Sequence, residues 1–141
     1  MELRSLSSRW WLSWLVRWGV AAITVAGVVY VREGIEGEQL RRLLRHEAVH
    51  VADQRRWGVL FYLSYLLPIY LGPLTLRAWW EWRAYREDVR DEIERRGYLT
   101  VETRERIVRA FAGRLYLWMW PFPRHVRRLI QRECSRVGGA P

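Results

Sequence analysis

The sequence predicts an α+β, mostly helical domain, and three observations carry that prediction. Apolar residues recur at three- and four-residue spacing over long stretches on both sides of the middle of the chain. One short run, residues 22–31, is instead rich in β-branched residues around a central Gly27. Gly34, Gly37, Gly58 and Gly97 fall between the helical segments rather than inside them. A chain of 141 residues has the size of one domain with one core, residues 1–141, ending in a frayed tail at 138–141.

Composition narrows the class. Half of the residues are hydrophobic, ten are tryptophan, and all 24 basic residues are arginine. The net charge of +9 is uneven: about +3 over residues 1–58, zero over 59–100 and about +6 over 101–141. The single Cys134 excludes an internal disulfide and speaks against a disulfide-stapled secreted scaffold. The expected location is cytoplasmic or membrane-associated rather than secreted. With no cysteine pair, a bound metal would be held by nitrogen and oxygen. Nucleic acid is not an expected partner, because only charge would support it.

The elements follow in order. Trp10, Trp11, Trp14 and Trp18 form a helical stripe, so residues 1–20 read as an amphipathic or membrane-associated helix, with Arg17 able to snorkel. Extended to Val31, the same run would be long enough to span a bilayer. It makes a poor secretory signal, since arginine breaks the apolar region. The preferred division keeps Trp10–Trp18 helical and makes Ala22–Val31 a β-hairpin. Gly34 and Gly37 lead into a helix from about Glu38 to Trp57, whose apolar stripe is Leu40, Leu43, Leu44 and Val51, with Glu47 beside it. Gly58 ends it, and Arg55 and Arg56 suit the negative end of the helix dipole.

Residues 59–76 carry no charge and meet the length threshold for a membrane span, with tryptophans on both sides. Pro68 and Gly72-Pro73 argue against one straight helix, and a buried helix of about ten residues with an irregular continuation fits as well. A helix over 78–96 has Trp82, Tyr85, Val89 and Ile93 as its stripe. Asp91–Arg95 and Glu92–Arg96 are expected as ion pairs on its wet side, with Glu87 and Asp88 solvated. Thr100 caps a helix expected to run to about Trp118, burying Ile107, Val108, Phe111 and Leu115. An aromatic break at 116–123 precedes a basic helix from Arg124 to Val137.

The chemistry concentrates at His46-Glu47-Ala48-Val49-His50. Residues four apart stack on one helix face, so His46 and His50 can present ring nitrogens to one metal ion. Glu47 follows the first of them, where its carboxylate can take a proton from water at that ion. This His-Glu-x-x-His spacing is that of zinc-dependent peptidases. Two ordinary histidines on an amphipathic helix are the alternative. Glu81, inside Trp80-Glu81-Trp82-Arg83-Ala84-Tyr85, is a carboxylate among tryptophans, which is costly unless something pairs with it, and a metal ion would.

The segment from about Arg45 to Tyr85 resembles gluzincin-type zinc metallopeptidases. More closely, it resembles small bacterial domains with the same motif and poorly defined activity. The matching pieces are the His46–His50 motif, Trp57-Gly58, Phe61, Tyr65-Leu66 and Glu81-Trp82-Arg83-Ala84-Tyr85. The resemblance covers under a third of the chain. It implies a minimal zincin-like fold, in which a short β-hairpin precedes the motif helix, and Zn2+ as cofactor. It also implies His46, His50 and Glu81 as ligands and Glu47 as general base. Where such relatives often have glutamine, this chain has Asp53 with Gln54 beside it; Asp53 reads as an acceptor supporting His50 or as a surface aspartate. A second donor for the developing oxyanion would be Tyr85 or His125.

Two functions therefore compete. One is a zinc-dependent hydrolase acting on a peptide or protein substrate. The other is a non-catalytic zinc-binding structural or assembly protein on the same scaffold, with a membrane surface or a larger protein assembly as partner.

Overall fold

The structure is a computed structural model that describes residues 2–6, 21–66, 76–113 and 119–138. It is α+β and mostly helical, as the sequence predicts. Two compact units divide it, Met1–Leu63 and Ser64–Pro141. The Trp10–Trp18 helix and the frayed tail beyond Gly138 fall outside the described residues.

In the first unit, β2 (Ala22–Val25) and β3 (Val28–Val31) form the expected antiparallel hairpin. Its turn residues, Ala26 and Gly27, both have positive φ, 50° and 79°. A two-residue hairpin turn of type I′ requires this of both, which glycine accepts readily and alanine only under constraint. β1 (Glu2–Ser5), which no periodicity announced, pairs parallel to β3 on its other side, giving the order β1-β3-β2.

Alternation splits the sheet into two faces. Ile23, Val25, Val28 and Tyr30 gather round the fully buried Leu6. Ala22, Val29 and Val31 pack instead on helix α1 (Gly37–Trp57), meeting Val51 with Leu40, Leu43 and Leu44, which is the stripe read from the sequence. Helix α1 ends at Gly58, whose N–H donates to the Gln54 carbonyl at 2.9 Å. Helix α2 (Val59–Leu66) follows at once. It is not the buried helix expected here: Phe61 is buried, but Val59, Leu60 and Leu63 are exposed.

The second unit consists of α3 (Leu76–Arg96), α4 (Val101–Ala112) and α5 (Pro123–Val137). Tyr85, Val89 and Ile93 from α3, Ile107 and Phe111 from α4, and Val126, Ile130 and Cys134 from α5 share one core. Burying side chains of this size stabilises by roughly 1.5–3 kcal/mol each. Thr100 caps α4 as predicted, its hydroxyl accepting from the Thr103 N–H at 3.2 Å.

Three expectations are corrected in this unit. Helix α4 stops at Ala112 rather than near Trp118, because Gly113 turns extended. A Cβ there would lie 2.3 Å from the Arg109 carbonyl oxygen, so only glycine makes this exit. Asp91 and Glu92 are buried rather than wet. Asp91 does pair with Arg95, at 2.9 Å, but Glu92 instead accepts from the Thr100 hydroxyl at 2.6 Å, fixing the start of α4. Asp88 is also buried, facing Arg106 at 3.4 Å. The i,i+4 rule identifies charged neighbours along one helix and carries no information about a second helix packed over them.

Candidate metal centre

The motif residues take their positions from the packing of α1 against the hairpin. Leu40, Leu43, Leu44 and Val51 turn one side of α1 towards β2 and β3. At 100° per residue this brings His46, Glu47 and His50 inward together. All three are buried, at 7, 6 and 6% exposure. The two imidazoles stack one turn apart with ring centroids at 5.1 Å, edge to face. The His50 ring also leans on Phe61 of α2, 6.2 Å away.

Glu47 is held from the sheet. Its Oε2 accepts a hydrogen bond from the Thr24 hydroxyl at 2.5 Å. Thr24 belongs to the β2 face whose other described side chains, with those of β3, are Ala22, Val29 and Val31. Its hydroxyl is therefore the polar group of an aliphatic layer, and it meets the carboxylate of the motif. The same strand is tied to α1 once more: Gln54 Nε2 donates to the Thr24 carbonyl at 2.9 Å. The Gln54 side-chain oxygen accepts from the Gly27 N–H at 3.2 Å and from the Tyr62 hydroxyl at 3.0 Å. Tyr62 in turn accepts from the Ala26 N–H at 2.9 Å, closing the network over the hairpin turn.

Thr24, Gln54 and Tyr62 were not singled out as functional by the sequence. A threonine at an inward position of an otherwise aliphatic strand was the one signal for Thr24. Gln54 stands out only as the neighbour of Asp53, and nothing local marks Tyr62. Asp53, for which a surface position was one reading, is 1% exposed. An open cavity of about 400 Å³ lies by the hairpin turn, between Gly27, Gln54, Arg55 and Tyr62, and none of the candidate ligands lines it.

In the second unit, Glu81 is 1% exposed on the buried side of α3, with Trp80, Ala84 and Tyr85 buried beside it. The Trp80 indole N–H donates to the Ser64 hydroxyl at 2.9 Å, which fixes the ring next to Glu81. A carboxylate so far from water requires a compensating donor or cation. Tyr85 sits in the core with its ring 5.6 Å from Phe111, tilted against it. His125 is exposed on the first turn of α5 and meets Trp120 edge-on at 5.2 Å.

No protein-family model, curated protein or solved structure matches the chain.

Proposed function

We propose that the chain is a zinc-dependent, metallopeptidase-like hydrolase, with His46, His50 and Glu81 as metal ligands and Glu47 as general base. One observation carries the reading. His46, Glu47 and His50 are buried together on one face of α1, with the two imidazoles one turn apart and their ring centroids at 5.1 Å. Two imidazoles and a carboxylate, with Glu81 as the carboxylate, are a donor set suited to zinc. All three side chains are buried, so the rotamers that present the ligand atoms are restricted by packing.

A zinc ion held there would supply Lewis acidity, acidifying water and polarising a carbonyl oxygen. The protein's own work falls first to Glu47. Thr24 immobilises Oε2, and the other carboxylate oxygen takes the proton from water and delivers it to the leaving nitrogen. The aliphatic layer of Val29, Val31 and Val51 keeps bulk water from the inner side of the motif. Tyr85, one turn after Glu81 on α3, is the candidate hydroxyl for the developing oxyanion, and a peptide or protein is the substrate class.

A second reading has one observation in its favour. The Thr24–Glu47 hydrogen bond is also what a purely structural carboxylate beside a structural zinc would make. Metal analysis and a peptide-library assay separate the two. The hydrolase reading expects stoichiometric zinc, lost in His46→Ala. It expects hydrolysis to fall roughly 10²–10⁴-fold in Glu47→Gln with zinc retained. Zinc without Glu47-dependent hydrolysis would select the structural role, and no zinc at all would reject both. Tyr85→Phe tests the oxyanion donor in the same assay.

A further inference from the structure

The end of α1 and the start of α2 present a surface that the metal site does not use. Trp57 is 42% exposed, Val59 70%, Leu60 63% and Leu63 55%. Leu60 and Leu63 lie three residues apart and Val59 and Leu63 four apart, so these side chains share one face of α2. Phe61 points the opposite way into the fold, and the Tyr62 hydroxyl is held by Gln54. The outward face is thus fixed by contacts on the inward one. Large aliphatic side chains exposed side by side at this level mark an interaction surface rather than ordinary surface scatter.

Charge indicates what that surface meets. Arg55 and Arg56, at the last turn of α1, are both exposed. Neither forms an ion pair among the described residues. The Arg56 guanidinium lies over the Trp57 ring, 5.9 Å from its centroid, and tryptophan is enriched where protein meets lipid headgroups. From Gln54 to Trp80 the sequence contains no aspartate or glutamate, and the whole chain carries +9. No helix among the described residues is long and apolar enough to cross a membrane. A short apolar face bordered by free arginines and lacking acids is suited to lying in a headgroup layer.

We propose that Trp57, Val59, Leu60 and Leu63, with Arg55 and Arg56, form a docking surface for an anionic lipid bilayer. The aliphatic side chains enter the boundary between headgroups and acyl chains, and the arginines bind lipid phosphates. This surface is independent of the metal site, so it stands whether or not the chain is a hydrolase.

Co-sedimentation of the full chain with vesicles tests it. The protein should bind vesicles of equal parts phosphatidylglycerol and phosphatidylcholine, bind pure phosphatidylcholine much more weakly, and release with salt. The Leu60→Ser/Leu63→Ser variant should lose at least about tenfold in partitioning. Arg55→Gln and Arg56→Gln should each lose about fivefold. The arginine variants change exposed side chains only and decide the matter if the serine variant misfolds. Absence of binding to the anionic vesicles would overturn the proposal, as would equal binding by all variants. A dimer in light scattering that Leu60→Ser/Leu63→Ser dissociates, without vesicle binding, would assign the face to a second copy of this chain instead.

Discussion

Replacing Thr24 by valine isolates the hydrogen bond that holds the motif glutamate. Valine keeps the β-branch and nearly the volume of threonine, and it enters a layer already formed by Ala22, Val29 and Val31, so packing changes little. What is lost is a hydroxyl 2.5 Å from a carboxylate that is 6% exposed. Hydrogen bonds to charged groups contribute about 1.5–3 kcal/mol, because the stranded charge keeps its desolvation cost. For a chain of this length, 1 kcal/mol moves the thermal midpoint by roughly 4 °C, so Thr24→Val should melt roughly 6–12 °C below the parent. Urea denaturation in the presence of a chelator measures the same loss without metal. Thr24→Ser should retain most of the stability. In a Glu47→Gln background the carboxylate is gone, and the cost of Thr24→Val should fall to about 0.5–1.5 kcal/mol. A loss below about 0.5 kcal/mol in the parent, or an equal loss in both backgrounds, would mean that Thr24 does not hold the glutamate and would remove its role in orienting the base.

Three further outcomes follow from the second unit. Burial pushes the Glu92 carboxyl up, but hydrogen bonds from Thr100 and Thr103, with Arg96 nearby, more than offset this and leave its pKa below the ordinary value. Its contribution is therefore present above the unfolded carboxylate pKa and lost as pH falls through the lowered folded value. Denaturation midpoints between pH 6 and 3 should show a decline that Glu92→Gln removes, and an unchanged profile would refute the cap. Arg90→Ala takes away the 2.7 Å donor to Glu133, which is 2% exposed between α3 and α5, and leaves it Arg136 at 3.6 Å. It should cost about 2 kcal/mol in urea denaturation, and a neutral result would refute the clamp. Burial raises the Cys134 thiol pKa, so a thiol reagent should modify Cys134 only after unfolding; rapid modification of the native protein would contradict its place in the core.

Much of the fold was legible because its signals are local. The hairpin over Ala22–Val31, the stripe of α1, the Thr100 cap and the glycine stops after α1 and α3 each depend on residues within a few positions of one another. β1 was missed because a four-residue strand bearing Glu2 and Arg4 has no alternation to read, and its partner lies 26 residues away. The buried carboxylates were misjudged for a related reason. Asp88, Asp91 and Glu92 look like solvated charges until α4 and α5 close over α3.

The candidate site divides in the same way. Sequence alone determined that His46, Glu47 and His50 share a helix face, because helical geometry fixes neighbours four residues apart. Only the tertiary structure decided that this face is buried, that the Thr24 hydroxyl meets the Glu47 carboxylate, and that Gln54 and Tyr62 fasten the hairpin to α1. Such contacts join residues 8 to 30 positions apart. They come from packing a sheet face on a helix, and no short-range pattern in the chain encodes which side chains will then touch.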